Sequence, residues 1–333
     1  MSDASARGRD AAAARPGVLR ETPGVTILDT RELAWEAAPE IGPGALRKPL
    51  GGGADEPRAW LLFLPPGFPV AEQAVRYAAA TGDVLVFTLA GELCTREFDG
   101  PGDSCGRLVR HRPGVAVQRP PGATFAAAAE PVSATGWIGL VVRDSPGAGP
   151  APPGAPAPSA AAPAAAPPGA AAAPPTVSVV DSRLADWQPA GYSGMPPGFQ
   201  KTLARYPCGD AKAQLLFFPP GLDPGRDPGE HPFYPPVLRA ARHLHHVMIE
   251  LIYVLDGDMP LSEWDSAEQQ QGERAWWREG YFLYRRPGSI HGAEPGATSV
   301  TGVTILHFRL GGSADPAGPA FPEQVAVDVP FAG

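Results

Sequence analysis

The chain has 333 residues, 44% of them hydrophobic, which is enough for two domains with apolar cores. Its 35 acidic and 27 basic residues give a net charge of −8 at pH 7 without an extended basic run, which argues against a nucleic-acid partner. No apolar run reaches the length of a membrane-spanning helix, and the first residues lack the apolar stretch of a secretory signal. We therefore expect a cytoplasmic protein without nucleic-acid or membrane partners.

Segments of biased composition divide the chain. Residues 1–20 are rich in Ala, Arg and Gly without periodicity, which predicts disorder. Residues 145–175 are almost entirely Ala, Pro and Gly; they have little to bury, and the prolines prevent regular backbone pairing, so we expect a semi-extended linker. The tail at 313–333 is again rich in Pro and Gly, with a short strand predicted at 324–327. The predicted domains are therefore 21–144 and 176–312.

Short β-branched and aromatic runs predict strands on both sides of the linker, because Gly or Pro-Gly turns follow them. In chain order these strands are Val84–Leu89, Val115–Gln118, Leu140–Val142, Leu251–Leu255, Tyr281–Tyr284 and Val303–Phe308. No window has the period of a long amphipathic helix. Many short strands and frequent turns within about 120 residues predict an all-β fold, a small antiparallel double-sheet barrel of the jelly-roll group.

The two sides of the linker are copies of each other. The run Leu61–Gly67 matches Leu215–Gly221 at an offset of 154 residues, and Gly114 matches Gly280 at an offset of 166. The second offset holds over more than fifty residues, so we expect two barrels in tandem that arose by internal duplication. The change of offset places a 12-residue insertion in the second copy, ahead of His243.

Five of the seven histidines lie between 231 and 291. His243 and His245 are two residues apart, so in a strand their side chains point to the same face. Glu250 follows, and His291 comes after a Pro-Gly turn. Imidazoles and a carboxylate that converge on one point suit a transition metal, whereas four buried polar groups without an ion would need many hydrogen-bond partners. We expect His243, His245, Glu250 and His291 to bind one metal ion.

The spacing of these residues resembles the two conserved motifs of the cupin superfamily. The first motif is His-x-His, three or four residues, Glu, six residues and Gly, which matches His243–Gly257. The second is Gly, five residues, Pro-x-Gly, two residues and His, which matches Gly280–His291 with Arg286 at the first Pro position. The resemblance implies two cupin barrels, the second with the metal in its lumen. It also implies that Glu250 could leave the ion and act as a catalytic base.

The first copy departs from the motifs at the ligand positions. At the offset of 166, it has Tyr77, Ala79, Val84 and Phe125 in place of the four expected ligands. These side chains offer an ion an apolar lining and no ligand set. We therefore expect one metal per chain, in the second barrel, and a first barrel that is structural or shapes the substrate.

Several further residues are candidates for a substrate pocket. The insertion at 222–235 carries His231, Phe233 and Tyr234, and its prolines predict a stiff loop at the mouth of the second barrel. Tyr253 and Arg286 lie next to the motifs in sequence. For each of these residues the alternative is an ordinary place in the core or on the surface. His111 and His307 have no partners in the sequence, and we assign them no function.

Two classes of function remain open. The lead-in Pro43–Leu50 and its copy Pro197–Leu203 resemble those of ChrR-type cupins and of the acetylacetone-cleaving and dihydroxyacetophenone dioxygenases. The dioxygenases imply a metal-dependent oxygenase, with O2 and a small β-dicarbonyl or phenolic substrate as partners; Fe(II) is the favoured ion, and Zn, Mn, Ni or Cu are alternatives. The alternative function is a ligand-binding or sensing cupin of the ChrR type without turnover. Isomerase or epimerase activity and a homodimer also remain open.

Overall fold

The computed structural model describes residues 15–53, 56–68, 77–78, 82–99, 103, 105–121, 123–127, 134–144, 176–189, 198–206, 210–221, 242–245, 248–292, 299–311 and 325–326. Within these ranges every regular element is a strand, so the prediction of an all-β fold is confirmed. The same ranges contain no helix that is long and apolar enough to cross a membrane. The linker 145–175 and the insertion 222–235 lie outside the described residues.

The strands follow the chain in two series. The first series is β1 (Val18–Glu21), β2 (Val25–Asp29), β3 (Glu36–Ala37), β4 (Leu46–Gly51), β5 (Arg58–Leu64), β6 (Tyr77–Ala78), β7 (Val84–Gly91), β8 (Leu93–Phe98), β9 (Arg107–His111), β10 (Val115–Arg119), β11 (Thr124–Ala127) and β12 (Trp137–Arg143). The second is β13 (Ser178–Asp181), β14 (Gln188–Pro189), β15 (Phe199–Arg205), β16 (Ala211–Phe218), β17 (His243–Leu244), β18 (Ile249–Trp264), β19 (Glu273–Arg278), β20 (Tyr281–Arg285), β21 (Ile290–Gly292), β22 (Val303–Leu310) and β23 (Val325–Ala326). Each of the six strands predicted for the two copies lies within one of these elements.

Each copy forms a barrel from two antiparallel sheets. In the first barrel the sheets have the orders β13-β10-β7-β12-β5-β4-β3 and β6-β11-β8-β9. In the second barrel the larger sheet has the order β1-β2-β20-β18-β22-β16-β15-β14, and the smaller one joins β19, the far half of β18, β21, β17 and β23. Apart from β1, which the first barrel lacks among the described residues, the two larger sheets have corresponding strands in the same order. This correspondence is the structural counterpart of the sequence duplication. β23 lies within the short strand predicted for the tail, and it pairs with β17.

The two barrels exchange their first strands. β2, which precedes the first barrel in sequence, pairs with β20 of the second barrel, from Val25 opposite Arg285 to Asp29 opposite Tyr281. β13, which starts the second copy, pairs with β10 of the first barrel. The predicted domains 21–144 and 176–312 therefore each give a strand to the other. Residues 18–20, for which we expected disorder, belong to β1, because pairing with β2 satisfies their backbone groups.

Glycine at position 257 lets one strand serve both sheets of the second barrel. The sequence predicts a strand that ends at a turn near this glycine, but β18 continues through it to Trp264. Its pairing with β22 shifts between Val254 and Asp256, which is a bulge, and Gly257 has φ +82°. An added Cβ there would lie 1.9 Å from the carbonyl oxygen of Gly302, so a side chain is excluded. The bulge bends β18 from the larger sheet into the smaller one.

Two apolar clusters show which strand faces point into the second barrel and which point toward its neighbour. The inner cluster contains Ile252, Val254, Leu261, Leu283 and Ile305. A second cluster takes side chains from both barrels and forms the core between them; its members include Leu61, Phe87, Leu140, Leu251, Phe282 and Phe308. Because strand side chains alternate, Glu250 and Arg285 share the inward faces of β18 and β20 with the inner cluster.

Candidate metal centre

Strand pairing brings the two motifs together. β17 and β21 are antiparallel neighbours, and His243 lies directly opposite His291. His245 lies two residues beyond His243, and its carbonyl oxygen accepts a hydrogen bond of 2.8 Å from the amide of Gly288 in the Pro-Gly turn. The ring centroids are 4.2 Å apart for His243 and His291, 5.1 Å for His243 and His245, and 5.3 Å for His245 and His291. One nitrogen from each ring lies within 4.8 Å of the other two, close enough for one ion.

Burial favours the neutral form of two of the three imidazoles, which is the form that binds a metal. His245 is 9% exposed and His291 is 3% exposed, whereas His243 is half-buried. Burial lowers the pKa of His245 to about 3, although Glu250 opposes the shift. Burial, followed by the charge of Arg285, also lowers the pKa of His291 well below its usual value. A neutral imidazole has a free lone pair, so no proton competes with a metal near neutral pH.

Unsatisfied ring nitrogens support the assignment of a cation site. Nε2 of His245 and Nδ1 of His291 are buried and have no hydrogen-bond partner among the described residues. An unpaired buried polar atom is costly and rare in folded proteins. Three imidazoles that each place one nitrogen within 4.8 Å of the other two are typical ligands of Zn, Fe, Cu or Ni. The residues present therefore fit a transition metal.

Glu250, the fourth expected ligand, is adjacent to the imidazoles but bonded elsewhere. Its Oε2 lies 3.3 Å from Nε2 of His291, and the same oxygen accepts a hydrogen bond of 2.5 Å from Arg285. Its Oε1 accepts one of 2.8 Å from Nε2 of His307. Burial alone would raise the pKa of Glu250, but Arg285, His291 and His307 outweigh it and hold the pKa well below its usual value. Among the described residues, the group that is close enough to share one ion is the three imidazoles.

Three residues of this cluster were missed by sequence reasoning. Glu263 and Arg285 form an ion pair that is completely buried, with Nε of Arg285 3.1 Å from Oε1 of Glu263, and His307 completes the cluster. One guanidinium thus serves two carboxylates. Burial raises the pKa of Glu263, although the charge of Arg285 opposes the shift, and the excess of carboxylate over guanidinium charge favours a cation nearby. The signal in the sequence was an Arg and a Glu that recur in the first copy at the offset of 166.

Two of the five pocket candidates, Tyr253 and Arg286, lie away from the metal centre. Tyr253 belongs to the core between the barrels, on the face of β18 opposite to Glu250. Arg286 binds the carboxylate of Glu56 from the first copy, with N–O distances of 2.6 and 3.0 Å, which is a surface and packing contact between the barrels. The remaining three candidates, His231, Phe233 and Tyr234, lie outside the described residues.

The first barrel has other residue types at the positions equivalent to the expected metal ligands. Phe125 lies opposite Tyr77 in the pairing of β11 with β6, the same register as His291 opposite His243. Val84 replaces Glu250 and packs against the apolar cluster of this barrel, and Ala79 lies outside the described residues.

The first barrel also contains a buried polar network, to which His111 belongs although the sequence offered no partner for it. Oγ1 of Thr95 lies 2.6 Å from Nε2 of His111 and 2.6 Å from Oε1 of Glu97. Arg119 binds Glu97 with N–O distances of 2.7 and 2.8 Å and lies over the ring of Phe125. Within this network Arg119 and Glu97 satisfy each other's charge, whereas Nδ1 of His111 is buried without a hydrogen-bond partner among the described residues.

Comparison with known proteins identifies the fold. No protein-family model and no curated protein matches the chain. Protein Ylba of E. coli gives a TM-score of 0.51 at 13% identity, over 91% of this chain and 97% of that protein. A deletion mutant of Bacillus subtilis oxalate decarboxylase gives 0.53 at 11% identity, over 88% and 79%. A dioxygenase candidate from Nostoc punctiforme gives 0.51 at 12% identity, over 94% and 90%.

These structures are cupin-type proteins, and identities this low establish the fold and nothing finer. The duplicated strand order and the position of the histidine triad in one lumen agree with that fold. The chain therefore has the fold of the two-barrel cupins.

Proposed function

We propose that this chain is a metal-dependent oxygenase that acts on a small organic molecule in its second barrel. The observation that carries the proposal is the triad of His243, His245 and His291, whose ligand nitrogens lie within 4.8 Å of one another. A divalent iron bound there would supply Lewis-acid chemistry and one-electron chemistry toward O2. The solved structures with this fold include a dioxygenase candidate and an oxalate decarboxylase, which supports a small-molecule substrate.

The lumen suits a small, largely apolar substrate. Glu250 and Arg285 share the inward faces of β18 and β20 with aliphatic side chains of the inner cluster, among them Ile252 and Leu283. Such a lining excludes water and strengthens polar interactions with the substrate. His243 is less buried than the other two histidines, so we place the substrate entrance on its side.

Glu250 serves this site through its charge. Because Arg285 and His307 hold its pKa well below the usual range, it is a weak base for a substrate proton. It is, however, a fixed negative charge next to His291, which favours a cation at the triad. A β-dicarbonyl or phenolic substrate is proposed from the resemblance of the two lead-in segments to the dioxygenase group.

Metal content and oxygen consumption test the proposal together. We expect one equivalent of transition metal per chain by elemental analysis, and Fe(II)-dependent O2 consumption with a β-diketone or a phenol. His245→Ala should lose both. Metal binding without O2 consumption with any member of a panel of β-diketones and phenols would contradict the oxygenase and favour a ligand-binding cupin. Two equivalents per chain would contradict a single centre.

A further inference from the structure

A guanidinium in the first barrel has a donor without an acceptor. In the second barrel Arg285 lies directly opposite Glu250, and its Nη1 donates to Oε2 of Glu250 at 2.5 Å. In the first barrel Arg119 lies in the same register opposite Val84, which offers no acceptor. Nε and Nη2 of Arg119 donate to Glu97, but Nη1 has no acceptor among the described residues. Arg119 is 4% exposed, and an unused donor on a buried group is costly.

The hydrogen bonds of His111 leave a buried acceptor in the same barrel. Burial alone would raise the pKa of Glu97, but Arg119 and the hydrogen bonds that Glu97 accepts outweigh it and hold the pKa well below its usual value. Thr95 therefore donates its hydroxyl proton to Oε1 of the ionised Glu97 and accepts from Nε2 of His111, both at 2.6 Å. A neutral imidazole with its proton on Nε2 has a lone pair on Nδ1. Nδ1 of His111 is buried without a partner among the described residues.

The second barrel does not share this polar pair. At the offset of 166, Leu261 stands at the position of Thr95, and Trp277 stands at the position of His111. Leu261 and Trp277 pack in the inner apolar cluster. The barrel fold therefore does not require a threonine and a histidine at these positions. Their presence in the barrel with the unused guanidinium donor points to a function of the first barrel itself.

The unused donor lies beside residues that are partly exposed. Val84, directly opposite Arg119, and Phe125, whose ring centre is 4.0 Å from Cζ of Arg119, are both half-buried. A ligand can therefore reach this guanidinium from the solvent. Val86 and Val141 belong to the apolar cluster against which Val84 packs. Such surroundings suit a small molecule that has one polar group and an apolar body.

Charge decides which polar group fits. Glu97 and Arg119 neutralise each other, and burial lowers the pKa of His111, although Glu97 opposes the shift, so the ring is neutral in the free protein. An anion at Nη1 of Arg119 would give the buried network a net negative charge unless a proton entered with it. Nδ1 of His111 could accept that proton, because Nε2–H of the resulting imidazolium would donate to Thr95, which is bonded to a carboxylate.

The charges around His111 permit this protonation. Among the described residues, the charged groups that face the ring are Glu97 on β8 and Arg119 on β10. Its neighbours in the chain, Arg110 and Arg112, are half exposed. One carboxylate therefore favours a proton on the ring and one guanidinium opposes it. An anion bound to that guanidinium shifts the balance toward the protonated form.

We propose that the first barrel has a ligand site of its own, in which Nη1 of Arg119 binds the carboxylate of a small organic acid and Nδ1 of His111 takes up the proton that enters with it. The proton comes from the solvent, and no bond within the ligand forms or breaks. The site lies in the first barrel and depends neither on the metal centre nor on the oxygenase reaction of the second. It gives a partner to both of the polar atoms that the described residues leave without one.

Calorimetric titration tests the site and the proton together. The full-length chain is stripped of metal with a chelator, so that no carboxylate binds an ion in the second barrel. It is titrated at pH 7 with acetate, isobutyrate and benzoate in two buffers of different ionisation enthalpy, because the difference in heat gives the number of protons taken up. We expect one acid per chain with uptake of a proton, and no binding of isobutanol, which has the apolar body of isobutyrate without its carboxylate. Binding of none of the three acids, or binding without proton uptake, would overturn the inference.

Two variants locate the site in the first barrel. Val84→Glu places an acceptor opposite Arg119, as Glu250 lies opposite Arg285, so the protein itself supplies the carboxylate. We expect this variant to lose binding of the acids. His245→Ala removes a member of the triad in the second barrel and should leave acid binding and proton uptake unchanged. Binding that persists in Val84→Glu, or is lost in His245→Ala, would place the acid elsewhere and overturn the inference.

His111→Phe tests the proton acceptor, and it also serves if Val84→Glu does not fold. The second barrel has an aromatic residue, Trp277, at this position, so the fold accepts an aromatic ring there. We expect the acids to bind roughly tenfold or more weakly, because the carboxylate then lacks the accompanying positive charge. Proton uptake at pH 7 should disappear. Uptake that persists in His111→Phe would show that another group accepts the proton, and the inference would be wrong.

Discussion

His245 and His291 should make the metal-free protein sensitive to acid. Burial lowers both pKa values, that of His245 to about 3, whereas an imidazole in the unfolded chain titrates near ~6.5. As the pH falls below ~6.5, the unfolded state binds protons that the folded state does not. The free energy of unfolding therefore decreases as the pH falls from ~6.5 toward the pKa of the folded state. The expected slope is ~1.4 kcal/mol per pH unit for each histidine. Denaturant unfolding of chelator-treated protein between pH 6.5 and 5 measures it.

A histidine variant separates this effect from others. His245→Gln should reduce the slope by the contribution of one histidine over the same pH range. His111 in the first barrel, whose pKa burial also lowers, contributes equally to both proteins and therefore cancels in the difference. An equal slope in the two proteins would contradict the assignment.

Glu97 should be important for stability and irrelevant for metal binding. Its carboxylate is 2% exposed and bonded to Arg119, so Glu97→Gln leaves a buried guanidinium without its counter-charge. Breaking a buried ion pair costs about 3–5 kcal/mol. We expect a loss of that order in the free energy of unfolding, with unchanged metal content. Adding Arg119→Met to this variant should recover part of the lost free energy of unfolding. A further decrease would show that the unpaired charge does not cause the destabilisation.

At the scale of elements, the bend in β18 depends on Gly257. Gly257→Ala should destabilise the protein by at least about 1–2 kcal/mol, because an L-residue is strained at positive φ and the added Cβ would meet the carbonyl of Gly302. Gly24→Ala is the matched control, since its Cβ would make an ordinary contact of 3.6 Å with Ser289. The difference in denaturation midpoint between the two variants measures the effect. Equal midpoints would mean that β18 can bend without this glycine.

At the scale of the whole molecule, the exchanged strands tie the barrels together. Cutting the chain within 145–175 should leave the two halves associated, because β2 remains paired with β20 and β13 with β10. The apolar core between the barrels adds to this association. Limited proteolysis followed by size-exclusion chromatography under native conditions tests the prediction. Halves that elute separately would show that the linker, and not the exchange, holds the barrels together.

The sequence by itself determined the duplication, the all-β fold and the histidine motif. These are readable because they depend on local features: strands show as short apolar runs, turns as Gly and Pro, and the motif as a fixed spacing from His243 to His291. The apolar residues Val84 and Phe125 at ligand positions of the first copy were readable in the same way.

Only the tertiary structure decided what those residues contact. Which barrel receives β2 and β13 depends on pairing between distant segments, which local patterns do not specify. The bonds from Arg285 and His307 to Glu250 likewise join residues 35 and 57 positions apart, brought together when strands close a barrel. A single sequence names residues that are able to bind a metal, but the donors that surround each of these side chains are decided by distances in the folded chain.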